Sequence, residues 1–159
     1  MPLAIDLDDA LAPTGKKLSL REGRKMGFEK SQRIVELNGR LEAFMQEHIY
    51  PCEHDYEEFT MNPDNLWQLP GWFDELRAKA REEGLWNLFL PQEYKPWSPG
   101  LTNVEIATIF ETMSKVVWAQ PIFNCSAPDR GNMEVLAKYG TPEQQETWLQ
   151  PLLAGEIRS

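Results

Sequence analysis

Two intervals, Thr102-Asn-Val-Glu105 and Thr141-Pro-Glu-Gln144, carry the same helix-start signal, and no interval carries the apolar–polar alternation of a strand. In each, a threonine hydroxyl can accept from the backbone N–H three residues on. The Glu or Gln there can reach back to the threonine's own N–H, so two donors without intrahelical partners are satisfied together. Ser126-Ala-Pro-Asp129 repeats the logic, with an acid in the first turn where the helix dipole favours it. Stop signals follow at matching distances. Gly84, Gly140 and Gly155 each close an apolar-periodic run, and glycine reaches the left-handed conformation cheaply just past a helix end.

Apolar spacing between these signals predicts the helices. Ile34, Leu37, Leu41, Phe44, Met45, His48 and Ile49 recur at three- and four-residue steps after Ser31, which places them on one helix face. Pro51 ends or kinks that helix. Glu53 to Phe59 forms a further turn or two, and Asn62 to Asn65 a polar loop. A helix over 71–83 buries Phe73, Leu76 and Ala80, and Leu85 drops back onto its last turn. Residues 85–91 are apolar but too short for a helix between Gly84 and Pro91, so they read as buried coil, followed by a loop over 92–100. The helix after Thr102 buries Ile106, Ile109, Phe110, Met113 and Val117. Trp148, Leu149, Leu152 and Leu153 form the apolar side of the last one. The fold class is all-α, a bundle of five to six helices over residues 31–159. Residues 1–30 form a flexible N-terminal tail whose basic cluster (Lys16, Lys17, Arg21, Arg24, Lys25) is a solvated arm.

Composition narrows the classes of function. A net charge of -9 argues against nucleic acid as partner and weakly against anionic membrane surfaces. No apolar run reaches the roughly 18 residues of a membrane span. The acidic start, with Asp6, Asp8 and Asp9, is neither a secretory signal nor a transit peptide. Cys52 and Cys125 form no CxxC, which suits free thiols in a reducing compartment. The expected location is cytoplasmic, or mitochondrial or peroxisomal in a eukaryote.

No constellation declares catalysis. Cys52-Glu-His54 lacks the convergent ligands of a structural zinc site, Cys125 has no assignable base, and Gly23, Gly27 and Gly39 do not have phosphate-loop spacing. Glu111 flanks the buried stripe as a rim acid, and Asp129 and Arg130 read as a local cap with a surface ion pair.

The order of motifs says more. Gly84-Leu-Trp-Asn-Leu-Phe-Leu-Pro-Gln-Glu-Tyr94 resembles a segment of the acyl-CoA dehydrogenase family. Phe110-Glu-Thr-Met-Ser114 is similar to the glutamate-bearing helix that follows it. Tyr139-Gly-Thr-Pro-Glu-Gln-Gln145 and Leu149-Gln-Pro-Leu-Leu-Ala-Gly-Glu156 resemble the family's next signature. The resemblance covers about residues 33–159. Phe123 to Met133 looks like the long-chain branch that is fused to a kinase-like domain in some eukaryotes.

The resemblance implies an amino-terminal helical domain ahead of a β-domain and a second helix bundle. It implies FAD as cofactor, acyl-CoA as substrate, trans-2-enoyl-CoA as product and electron-transfer flavoprotein as partner. The flavin-contacting strand, with its Thr-Glu-Pro segment, and the catalytic glutamate fall beyond Ser159. No catalytic, cofactor-binding or metal-binding residue is therefore expected in 1–159, and the chain alone is expected to be inactive and free of FAD. By the same resemblance Glu111, Thr112 and Met113 line the acyl pocket. Asp129-Arg130 departs from the His-Ser or Asn-Ser of many relatives. The alternative is a non-enzymatic helical interaction module. Its docking surface would use Trp86, Leu88, Phe89, Trp97, Trp118 and Phe123 and would lead to self-association.

Overall fold

The computed structural model describes residues 29–159, so the arm assigned to residues 1–30, with its basic cluster, lies outside them apart from Glu29 and Lys30. The helices are α1 (Gln32–Phe44), α2 (Glu53–Met61), α3 (Phe73–Glu82), α4 (Asn103–Met113), α5 (Asp129–Tyr139), α6 (Pro142–Gln144) and α7 (Gln150–Ala154). A wide π turn, Gln145–Leu149, joins α6 and α7 into one run. Among the described residues there is no strand, only an isolated bridge between Pro91 and Leu101. The all-α bundle is what the caps and spacing predict.

Two prolines sit inside helical runs, and the backbone accommodates both in the same way. Met45–Ile49 forms a π turn in which the Tyr50 N–H reaches the Met45 carbonyl. A 3-10 turn over Tyr50–Cys52 then carries Pro51 into α2. The second π turn likewise ends at Leu149, two residues before Pro151, with the Gln150 N–H on the Gln145 carbonyl. In a regular helix a proline ring collides with the carbonyl four residues back. Widening the preceding turn moves that carbonyl aside. Pro51 thus kinks the run without ending it, and α2 extends to Met61, beyond the turn or two of the sequence reading.

The glycine stops at 84 and 155 act by left-handed caps. Gly84 has φ +67°, the Leu85 N–H donates to the Ala80 carbonyl at 2.8 Å, and the Gly84 N–H to Arg81 at 3.0 Å. Gly155 repeats this at φ +68°, with Glu156 on Pro151 and Gly155 on Leu152. Gly140 differs: it closes α5 in an extended conformation, with φ -66° and ψ 141°.

α1 packs against α4, α3 against the 3-10 turn Gln120–Phe123, and α5 against the π turn and α7. Leu41, Phe44, Met45, Ile49, Phe73, Leu85, Leu90, Ile109, Met113, Phe123 and Leu149 fill the space between them. Each full burial of this kind contributes about 1.5–3 kcal/mol relative to exposure. Residues 85–91 form the strap that the sequence suggests, with Leu85, Leu88, Phe89 and Leu90 buried and Trp86, Asn87 and Pro91 half-buried. The Trp86 indole and the Asn87 amide both donate to the Leu153 carbonyl, at 2.8 and 2.9 Å. The buried Asn124 amide donates to Leu152 at 3.0 Å. Arg81 donates to Ala154, so the last carbonyls of α7 all find partners.

Several sequence readings need correction, among them Trp148, expected on the apolar side of the last helix but 54% exposed. Val117 is 93% exposed, because α4 ends at Met113 and the chain then turns, which puts Val116 inside instead. Ser126 does not cap α5 with its side chain; Pro128 occupies the cap position, without a side-chain bond. The proposed docking surface is also largely interior. Leu88, Phe89, Trp118 and Phe123 are buried, and Trp86 and Trp97 are half-buried. Exposed large apolar side chains lie elsewhere, among them Met61, Leu66, Trp67, Leu69 and Trp148.

Candidate functional site

A shallow groove of about 680 Å³ opens where the start of α1 meets the outer face of α4. Val104, Ala107, Thr108 and Glu111 wall it from α4, and Ser31 and Ile34 from the other side. Positions 104, 107, 108 and 111 follow the i, i+3, i+4, i+7 rule of a single helix face. Ile34 is its buried floor, whereas Val104 and Glu111 are exposed.

One carboxylate organises the mouth. Glu105 Oε2 accepts from the Thr102 N–H at 2.9 Å, while the Thr102 hydroxyl accepts from the Glu105 N–H at 3.3 Å; this is the capping box the sequence announces. Oε1 accepts from the Ser31 hydroxyl at 2.7 Å, and Ser31 itself caps α1 by accepting from the Ile34 N–H at 3.3 Å. Arg33 adds an ion pair at 3.4 Å. The Thr102 amide, then Ser31, hold the Glu105 carboxyl below its ordinary value, against a smaller opposing effect of burial.

The three residues assigned to the acyl pocket separate. Glu111 stands exposed on the groove wall. Thr112, one residue on, turns inward and donates to Asn38 Oδ1 of α1 at 2.8 Å. Met113 is fully buried in the core. Successive helical residues differ by about 100° around the axis, so three in a row cannot share one face. The spacing rule that joins 104, 107, 108 and 111 is present in the sequence, but of the four only Glu111 is singled out there.

The Asp129–Arg130 pair also separates. Asp129 is only 2% exposed, and it accepts from the Ser159 N–H and the Ser159 hydroxyl, each at 2.8 Å, and from the Arg158 guanidinium. Burial works to raise its carboxyl, but these donors together hold it below the usual aspartate range. Arg130 instead lies over the Phe110 ring of α4, 4.8 Å from the centroid, and reaches Glu134 at 3.8 Å. The surface pair of the sequence reading is therefore not formed.

Residues 32–156 match the description "Acyl-CoA dehydrogenase, N-terminal domain". The chain belongs to the acyl-CoA dehydrogenase family. It is 46% identical over 132 residues to mouse acyl-CoA dehydrogenase family member 10, covering 81% of this chain and 12% of that protein. Rat acyl-CoA dehydrogenase family member 11 is 39% identical over 161 residues, covering 94% of this chain and 20% of the rat protein. A solved structure described as an acyl-CoA dehydrogenase of Mycobacterium abscessus superposes with a TM-score of 0.73 at 42% identity, over 82% of this chain and 34% of that one. The chain thus spans a fifth or less of these two curated relatives and about a third of the solved chain. As an acyl-CoA dehydrogenase helical domain, it keeps the ordered motifs from Gly84 to Glu156 on the strap and loop after α3, the end of α4, and the run from the end of α5 through α6 and α7. Among the described residues, no helix is long and apolar enough to cross a membrane.

Proposed function

We propose that this chain is the amino-terminal helical part of an FAD-dependent acyl-CoA dehydrogenase, an oxidoreductase of fatty acid β-oxidation that converts an acyl-CoA to a trans-2-enoyl-CoA. The outer face of α4 lines the acyl side of the substrate site. The family match over residues 32–156, with an apolar groove on α4, carries this reading. Ile34, Val104 and Ala107 suit an aliphatic chain. The groove's rim is charged, with Glu29, Lys30, Glu105 and Glu111, and no FAD contact is assigned to residues of this chain. FAD and the proton-abstracting glutamate belong to parts of the protein outside residues 1–159. Electron-transfer flavoprotein is the proposed acceptor, and the compartment is reducing, cytoplasmic or organellar. The domain spans 31–159, with residues 1–30 as its leading arm. Glu111 contacts the acyl chain directly; Thr112 and Met113 set the position of the wall from behind.

Two measurements test this. The purified chain is expected to be colourless and to leave an electron acceptor unreduced with acyl-CoA; tightly bound FAD in it would overturn the assignment. Dodecanoyl-CoA titrated into the isotopically labelled chain should shift the amide resonances of Ala107, Thr108 and Glu111. Shifts confined to other faces would remove α4 from the acyl site. Self-association is the second reading, favoured by Trp67 at 95% exposure beside exposed Leu66 and Leu69. Sedimentation that stays monomeric at high concentration would exclude it.

A further inference from the structure

The separation of Asp129 and Arg130 leaves a buried acid that the acyl-site reading does not use. The Asp129 carboxylate has three donors, and all come from Arg158 and Ser159, two residues past the turn that ends α7. Asn132, one helical turn further along α5, donates from Nδ2 to the Ser159 hydroxyl at 2.9 Å. α5 therefore grips the outgoing chain at two adjacent side chains. One residue along, Arg130 holds α5 to α4 through the Phe110 ring, next to Glu111. The first turn of α5 thus touches both the groove-walling helix and the segment that leaves the domain.

A surface ion pair has no need of such burial. Enclosing a carboxylate is costly unless charge-assisted bonds replace its water. Here three bonds do so, all directed at one short segment, and two involve groups of a single residue, Ser159. Such an arrangement fixes the position and direction of that segment more than it adds to net stability.

The geometry points to Asp129 as a positioning residue: it clasps residues 158–159 to α5, and through Arg130 and Phe110 it holds the exit of the helical domain in register with the α4 wall. This rests on the acyl-CoA dehydrogenase reading, in which the parts that meet the flavin follow Ser159. Asp129 touches neither substrate nor cofactor and acts through the segment it holds.

The test is hydrogen exchange with NMR detection on the full 159-residue chain. The Ser159 amide should exchange at least tenfold faster in Asp129→Asn, while the Ile109 amide in the core is unchanged. The Arg158 Nε–H should give a separate, downfield signal in the wild type. Asp129→Asn should abolish it, whereas Asn132→Ala should keep it and raise Ser159 exchange by a smaller factor. If Asp129→Asn fails to fold, Arg158→Gln, which alters a part-exposed side chain, should still speed Ser159 exchange severalfold. Ser159 exchange at the unstructured rate in the wild type, or unaffected by Asp129→Asn and Arg158→Gln, would overturn the clasp. These signals do not depend on acyl-CoA, so failure of the clasp and failure of the dodecanoyl-CoA shifts at α4 are separate results.

Discussion

The hydroxyl of Ser31 donates to Glu105 Oε1 at 2.7 Å, which bonds the residue that caps α1 to the residue that closes the capping box of α4. Two helices far apart in sequence therefore begin at one shared carboxylate. Glu105→Ala should remove a cap and a cross-link together and cost about 1–2 kcal/mol, read as a lower urea midpoint with an unchanged slope. The sign of the pH effect follows from a carboxyl held below its ordinary value. Its contribution is fully present above the unfolded glutamate value of about 4.3 and is lost as pH falls through the lower folded value. The acid limb of a stability–pH curve should therefore be shallower in Glu105→Gln than in the wild type.

Glycines 155 and 131 should respond in opposite directions. A Cβ on Gly155 would lie 2.7 Å from Trp86 Cζ2 and 2.9 Å from Arg77 Nη2, at a φ of +68°. Gly155→Ala should cost at least the roughly 1–2 kcal/mol of a left-handed alanine, with further loss from the contacts. Gly131, inside α5, has nothing within 4 Å of such a Cβ. Gly131→Ala should therefore stabilise by about 0.5–1 kcal/mol. Thermal melts of the two variants check both signs.

Asn124 combines a left-handed backbone, φ 55°, with two buried donations, to Asn87 Oδ1 at 2.7 Å and to the Leu152 carbonyl at 3.0 Å. Asn124→Gly keeps the conformation and deletes only those bonds. It should destabilise by about 1–3 kcal/mol, and Asn124→Ala by more. Equal losses in denaturant titration would show that the amide bonds, not the left-handed backbone, set the cost.

The two thiols should separate kinetically. Cys125 is fully buried, and burial pushes its thiol up to about 12. Cys52 is half-buried and raised mainly by burial, with Asp55 adding to it. Native protein treated with a disulfide reagent at pH 8 should release one equivalent slowly, from Cys52, and the second only on unfolding. Loss of the slow equivalent in Cys52→Ser confirms the assignment. A fast second equivalent would show that the strap and the 120–125 turn open readily.

The helices and their ends could be read from the sequence because the signals are local. A threonine and a glutamate three residues apart meet on the first turn of whatever helix follows, and a glycine after an apolar run can take φ +67° wherever the run packs. The same locality explains what could be read of the groove. Glu111 is placed by its own helix phase; the resemblance groups Thr112 and Met113 with it, and a 100° step per residue turns these two inward. Val104, Ala107 and Thr108 share Glu111's face, yet only the meeting of α1 with α4 makes that face a groove.

By itself, the sequence determined an all-α domain, its caps and stops, and its membership of the acyl-CoA dehydrogenase family, because each rests on neighbours within a few residues or on the order of motifs. Only the tertiary structure decided that Ser31 bonds Glu105, that Asp129 turns from Arg130 to residues 158–159, and that Trp118 and Phe123 are interior. Charge and apolarity state what a side chain needs. Which distant group meets that need depends on how the helices pack, and no local spacing records it.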